Sequence, residues 1–205
     1  MTVRAIDNVI FDIGNVLIRW HPERLYRKML PHDEAIAAFL DETGLIARNI
    51  EIDRGEPFTA AIDDLVARHP HHAVLLRAFD ERWEEMLGGA IEESVSMLAE
   101  VRRRGVPNYA ITNFSREKFE IARDLFPFLN DFDDTVVSAH VGLVKPDPAI
   151  FRVLLDRHGL DPTRTIFIDD SAANCATARS LGLVVHHFEG PTGLAADLAA
   201  FRLLD

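Results

Sequence analysis

From residue 91 to residue 203 the chain repeats one pattern: a helical stretch with an apolar face, a stop, then a short apolar run. "IEESVSMLAEVRRRG" sets Ile91, Val95, Leu98 and Val101 at helical spacing, with three arginines in the last turn and Gly105 as the stop. "PNYAIT" is then a strand ending on Thr112. Ser115 follows as an N-cap, with Phe114 and Phe119 placed as a hydrophobic staple, and the helix runs to Phe126. "TVVS" is the next strand. "KPDPAIFRVLLDRHG" opens with Asp147 as cap and Pro148 at the first helical position. Phe151, Leu154, Leu155 and His158 share one face there, and Gly159 ends the helix. The strand "TIFID", a helix over 172–181, the strand "LVVHHF" and a helix near 194–203 complete the series. A strand apolar throughout, such as "TIFID", needs both sheet faces covered. Strands alternating with helices argue a parallel, doubly wound sheet. The expected fold class is α/β, a three-layer Rossmann-like core.

Residues 21–88 break that alternation and show no good strand. "PERLYRKML", "DEAIAAFLDE", "PFTAAIDDLVARH" (Phe58, Ile62, Leu65 and Val66 on one face) and "AVLLRAFDERWEEML" read as helices. "ARNIEIDRGEPF" is more polar and interrupts the helical pattern. The expected organisation is a core of residues 1–18 and 89–205 around an all-helical insertion of 19–88. "GGAIEES" serves as the return hinge.

A chain of 205 residues that is 48% hydrophobic supports a full core and excludes disorder. The net charge of −11 argues against nucleic acid and anionic membranes, while a local cation could still collect an anionic small molecule. A single cysteine excludes an internal disulfide and thiolate metal clusters. "MTVRAIDNVIF" lacks a signal-peptide apolar stretch and no window approaches a membrane span, so a cytoplasmic protein is expected. Exposed apolar residues in the insertion offer a face for a homodimer.

In open parallel sheets, ligands bind beyond the carboxyl ends of the strands. Asp12 stands there after "VIF", Thr112 and Asn113 after "YAI", and Asp169 and Asp170 after "IFI", with Lys145 in the loop after "TVVS". Each alone has an ordinary explanation as a turn, a helix cap or a solvated charge. Together they place three carboxylates in one crevice, which repel unless a cation joins them. A hard divalent ion with oxygen ligands, Mg²⁺ above all, is the economical solution.

"FDIGNV", "ITN", "KPDP" and "FIDD", in this order and at these distances, resemble the motifs of the haloacid dehalogenase-like (HAD) hydrolase superfamily. The resemblance spans nearly the whole chain, because the insertion sits where that family carries a helical cap. It implies that Asp12 is a nucleophile forming an aspartyl-phosphate, and that Asp12, the Gly14 carbonyl and Asp170 hold Mg²⁺. Asp169 would act mainly through a bound water. Thr112 and the Asn113 backbone N–H would hold phosphoryl oxygens, and Lys145 would neutralise charge. Caps of the family lower a loop or helix end onto the substrate, which makes Asn49, Asp53 and Arg54 candidates for selecting the leaving group.

Family phosphatases usually carry a second Asp two residues after the nucleophile, as the acid–base; here Gly14 stands there. A positioned acid–base is worth about 10²–10⁴-fold in rate. Three functions therefore stay open. The first is a Mg²⁺-dependent phosphatase of small phosphorylated metabolites, with another group such as His21 supplying the proton. A bacterial branch that includes a glucose-1-phosphate phosphatase is similar at this glycine, which points to sugar phosphates. The second is a 2-haloacid dehalogenase, whose halide leaves unprotonated; against it, Asp169-Asp170 replaces that group's serine-containing motif. The third is a silent site that binds phosphoesters. "HPHH" at 69–72 reads as a turn between helices, His186 and His187 as opposite faces of one strand, and Cys175 as a buried structural thiol.

Overall fold

The computed structural model describes residues 5–204. The first four residues and Asp205 of the expected core span, and with them part of the N-terminal stretch "MTVRAIDNVIF", lie outside them. The chain opens with β1 (Asn8–Phe11) and β2 (Ile18–Trp20). The insertion then supplies α1 (Glu23–Tyr26), α2 (Asp33–Thr43), α3 (Leu45–Asp53), α4 (Phe58–Arg68) and α5 (Ala73–Glu81). After it come β3 (Leu87–Ala90), α6 (Glu92–Arg103), β4 (Asn108–Thr112), α7 (Arg116–Leu125), β5 (Asp134–Val137) and α8 (Ser138–Val141). The chain ends with α9 (Pro148–His158), β6 (Thr165–Asp169), α10 (Ala172–Ser180), β7 (Val184–His187) and α11 (Pro191–Ala200).

Five strands form one parallel sheet in the order β5-β4-β1-β6-β7, with β1 at its centre. Alternate side chains face opposite ways. Val9, Phe11, Ala110, Ile166 and Ile168 pack against α6, α7 and α11. Ile10, Tyr109, Ile111 and Phe167 pack against Ile150, Phe151, Leu154 and Leu155 of α9. Each such fully buried side chain contributes about 1.5–3 kcal/mol. This is the expected three-layer α/β arrangement.

Local signals act where the sequence places them. The Ser115 side chain accepts the Lys118 backbone N–H, and Phe114 meets Phe119 edge-on at 5.6 Å between ring centres. Asp147 caps α9 through Ala149 N–H, and Gly159 ends that helix at φ 60°, a left-handed turn that costs glycine nothing. No helix among the described residues is long and apolar enough to cross a membrane.

Two expectations need correction. Residues 21–88 are not free of strand: β3 begins at Leu87 and pairs antiparallel with β2, Ile18 opposite Ala90 and Trp20 opposite Leu87. Both edges of the insertion, drawn at 18/19 and 88/89 from the sequence, therefore fall inside one two-stranded ribbon. Gly88 and Gly89 have no side chains to advertise a strand, which exists because β2 lies beside it. The polar stretch after Gly44 is helical as far as Asp53, because Leu45 and Ile52, two turns apart, are both fully buried. The insertion's core (Tyr26, Phe39, Phe58, Phe79 among others) is continuous with the face of the sheet that carries α6 and α7. Ile46, Ile50 and Val74 are the large apolar side chains it exposes among the described residues.

Candidate active site

Asp12 follows the last residue of the central strand, and its backbone N–H donates to the Ile168 carbonyl at 2.8 Å, prolonging the ladder. The residue is 7% exposed. Oδ1 of Asp12 accepts the Ile13 N–H at 2.7 Å and the Lys145 ammonium at 2.8 Å. The same ammonium donates to Asp169 Oδ2 and to the Ile111 carbonyl, each at 2.8 Å. Lys145 thus has three acceptors for its three protons.

The loop that carries Lys145 is clamped by Asn113. Its amide donates to the Lys145 carbonyl at 3.0 Å, and its Oδ1 accepts the Lys145 N–H at 2.8 Å. Asp169 is wholly buried at the end of β6. Its Oδ1 accepts Ser171 N–H at 2.8 Å, and the Asn174 amide lies 2.9 and 3.1 Å from its two oxygens. With both oxygens engaged, Asp169 is a group that orients Lys145. Asp170 is exposed. A hydrogen bond from Asn15 favours its charged form. Asn15 takes a left-handed φ of 55°, which asparagine tolerates, and its Oδ1 accepts the Trp20 N–H at 2.9 Å.

Carboxylate oxygens of Asp12, Asp169 and Asp170 lie within 4.8 Å of one another. Burial pushes the Asp12 carboxyl above the usual range. Lys145 opposes that rise, and Asp169 and Asp170 add to it. Burial likewise pushes up Asp170, with Asp169 adding to the rise. For Lys145 burial works against the charge, but Asp12 and Asp169 outweigh it and the net shift is upward. Three carboxylates with one ammonium leave an excess of negative charge. That is a donor set suited to a hard divalent cation, with oxygen ligands and a buried flank.

Asp12, Gly14, Thr112, Asn113, Lys145 and Asn174 share a cavity of about 130 Å³ with insertion residues Asn49, Asp53, Phe58 and Trp83. The structure so brings together Asp12, Gly14, Thr112, Asn113, Lys145 and Asn49, and sets Asp169 and Asp170 against Asp12. Asn49 donates to Asp53 Oδ2 at 2.9 Å on the same helix, and burial pushes the Asp53 carboxyl up to about 7. Arg54 is exposed and pairs with Glu51. His21 is exposed and does not line the cavity.

Sequence reasoning passed over Asn174 and Asn15. For Asn174 the available signal was an amide in the first turn of a helix that follows an acidic pair. For Asn15 it was a non-glycine residue at a strand-to-turn junction. Lys118 was also missed: it lines the cavity and pairs with Asp80 at 2.6 Å, joining α7 to α5. Among the remaining histidines, His71 and His72 both reach the exposed Glu42 carboxylate, at 2.8 and 3.1 Å, from a single 3₁₀ turn. His186 bonds Asp197 at 2.7 Å, and its neighbour His187 bonds the Asp170 carbonyl at 2.9 Å. Cys175 is buried, and burial pushes its thiol up to about 11.

A family described as haloacid dehalogenase-like hydrolase matches residues 6–182. Among curated relatives, mouse (Mus musculus) acyl-CoA dehydrogenase family member 10 is 31% identical over 106 residues, covering 50% of this chain and 10% of that one. The sesquiterpene phosphatase astK of Aspergillus oryzae is 32% identical over 103 residues, covering 50% of this chain and 53% of that one. The matched segments therefore span from a tenth to about half of these relatives' lengths. A solved structure of the HAD family enzyme bt-2542 from Bacteroides thetaiotaomicron, in complex with magnesium and inorganic phosphate, superposes with a TM-score of 0.69. It is 23% identical and covers 89% of this chain and 93% of that one. At that identity the likeness speaks for the fold.

Proposed function

The chain belongs to the haloacid dehalogenase-like hydrolases, and from that premise we propose that it is a Mg²⁺-dependent phosphatase of small phosphorylated metabolites, sugar phosphates foremost, working through an aspartyl-phosphate on Asp12. The observation that carries this reading is the buried triad in which Lys145 bridges Asp12 and Asp169, with Asp170 close enough to share a cation. Displacement of halide needs no metal, so Asp170, the exposed carboxylate beside Asp12 that does not hold Lys145, has no use in a dehalogenase. Relatives with phosphatase names, and a neighbour of the same fold that holds magnesium and phosphate, support the same choice.

In this reading Asp12 attacks the phosphorus of the bound ester. Its carboxylate forms a P–O bond as the bond to the leaving oxygen breaks. Lys145 holds Asp12 in place and offsets charge, while Asp169 and Asn174 keep the ammonium aimed. Thr112 and the Asn113 N–H hold the phosphoryl oxygens. Asp12, Asp170 and the Gly14 carbonyl would hold Mg²⁺, which would supply positive charge to offset that of the phosphoryl group. Water then attacks the same phosphorus, releasing phosphate and restoring Asp12. The helical insertion acts as a cap that excludes bulk water from the cavity.

A panel of phosphorylated metabolites and 2-haloacids, each with Mg²⁺ and with chelator, tests the proposal. Mg²⁺-dependent phosphate release is expected. Halide release that persists under chelation, or no turnover on either panel, would reject it.

A further inference from the structure

Asp12 as nucleophile leaves one task unassigned. An alkoxide leaving group needs a proton, and Gly14 has no side chain to give it. A Cβ built at Gly14 meets nothing within 4 Å, so the core places no substitute there. The cavity is lined by four titratable side chains: Asp12, Lys118 and Lys145 from the core, and Asp53 from the insertion. Asp12 is committed to phosphorus. Lys145 is bound by Asp12, Asp169 and the Ile111 carbonyl. Lys118 is bound by both the carboxylate and the carbonyl of Asp80, at 2.6 and 3.0 Å. Asp53 remains. It sits at the end of α3, in the half-buried wall opposite the strand ends.

We propose that Asp53 is the catalytic acid of this site, delivering from the insertion the proton that position 14 does not supply from the core. The assignment rests on the phosphatase reading and deepens it. The Asn49 amide fixes Oδ2 of Asp53 at 2.9 Å, which leaves the other carboxyl oxygen to carry the proton. Burial is the cause of its raised pKa of about 7, so an appreciable share of the carboxyl is protonated at neutral pH. When the ester bond breaks, the electron pair passes to the leaving oxygen, which takes the Asp53 proton and departs as an alcohol. The Asp53 carboxylate then accepts a proton from the water that attacks the aspartyl-phosphate. The bond between phosphorus and Asp12 breaks, phosphate leaves, and Asp53 is protonated again. The acid therefore travels with the insertion, and substrates that keep the insertion from closing are not protonated.

Three proteins decide the matter: the wild type, Asp53→Asn, and Asp53→Asn with Gly14→Asp. Each is assayed with Mg²⁺ on esters ranging from p-nitrophenyl phosphate to alkyl and sugar phosphates, and across pH. Asp53→Asn is expected to lose about 10²–10⁴-fold in kcat/KM on alkyl and sugar phosphates, and less than about tenfold on the nitrophenyl ester, which leaves without a proton. The alkaline limb of the wild-type profile should disappear with it. Adding Gly14→Asp should restore at least about tenfold on the poor leaving groups. A loss of equal size on every ester, or an alkaline limb that survives in Asp53→Asn, overturns the assignment and leaves the phosphatase reading standing. A wild type inert toward every ester defeats both.

Discussion

Lys145 and Asp12 form an ion pair of 2.8 Å whose ammonium side chain is 1% exposed. Burial of both partners makes the loss of either costly. Lys145→Met keeps the bulk and removes the charge, leaving Asp12 and Asp169 repelling each other in a buried site. Breaking a buried pair costs about 3–5 kcal/mol. The pH dependence has a definite sign. A carboxyl whose folded-state pKa exceeds its unfolded one is penalised above that pKa and relieved below it, and losing Lys145 drives Asp12 further up. Urea denaturation of metal-free protein should show most of the loss at pH 8 and much less at pH 5, with turnover at background throughout.

Mg²⁺ should stabilise the folded chain by linkage. At a hundredfold excess over Kd the gain is about 2.7 kcal/mol. Asp170→Asn removes one carboxylate oxygen from the cluster and should shrink that gain sharply without unfolding the metal-free protein, because Asp170 is exposed. Thermal melts with Mg²⁺ and with chelator measure both effects.

Asp53→Asn should stabilise the chain while impairing it. The Asp53 carboxyl, at about 7, lies above its unfolded value, so the folded state bears a penalty above pH 7 that fades as pH falls toward 4. After discounting for partial exposure, removing the charge is worth about 1–3 kcal/mol at pH 8 and close to nothing at pH 4. Denaturation curves of the two proteins at these pH values check it.

Asp80 holds Lys118, which also lies 4.7 Å from the centre of the Phe58 ring. Asp80→Ala leaves an ammonium 9% exposed without its carboxylate, at a cost of about 1–3 kcal/mol. The loss should be similar in low and high salt, as expected of a shielded pair, and urea melts at two ionic strengths measure it.

The core was legible because its signals are local. Ser115, Asp147 and Gly159 mark helix ends within a few residues of the apolar runs they punctuate, and strand ends can be counted from those runs. Asp12, Thr112, Lys145, Asp169 and Asp170 followed from the general location of sites in parallel sheets. The insertion was legible only where its faces are broad. α3 depends on two buried residues, Leu45 and Ile52, amid polar neighbours. The ribbon of β2 and β3 depends on a partner more than sixty positions away. Asn174, Asn15 and Asn113 carry their roles in hydrogen bonds that exist once remote segments meet. Asp53 was legible only as one of three cap candidates for selecting the leaving group, and not as a raised carboxyl, because its burial comes from the docking of α3 over the strand ends.

The ribbon has a consequence of its own. The polypeptide leaves the sheet layer through β2 and returns through β3, side by side, with Trp20 opposite Leu87. The two ends of the insertion therefore meet, and everything between them can be exchanged as one piece, provided the replacement covers the sheet face into which its apolar core now runs. Under the proposed mechanism, such an exchange would leave the phosphorus-attacking machinery in place and replace, in a single recombination, both the proton source and the surface that chooses which molecule receives it.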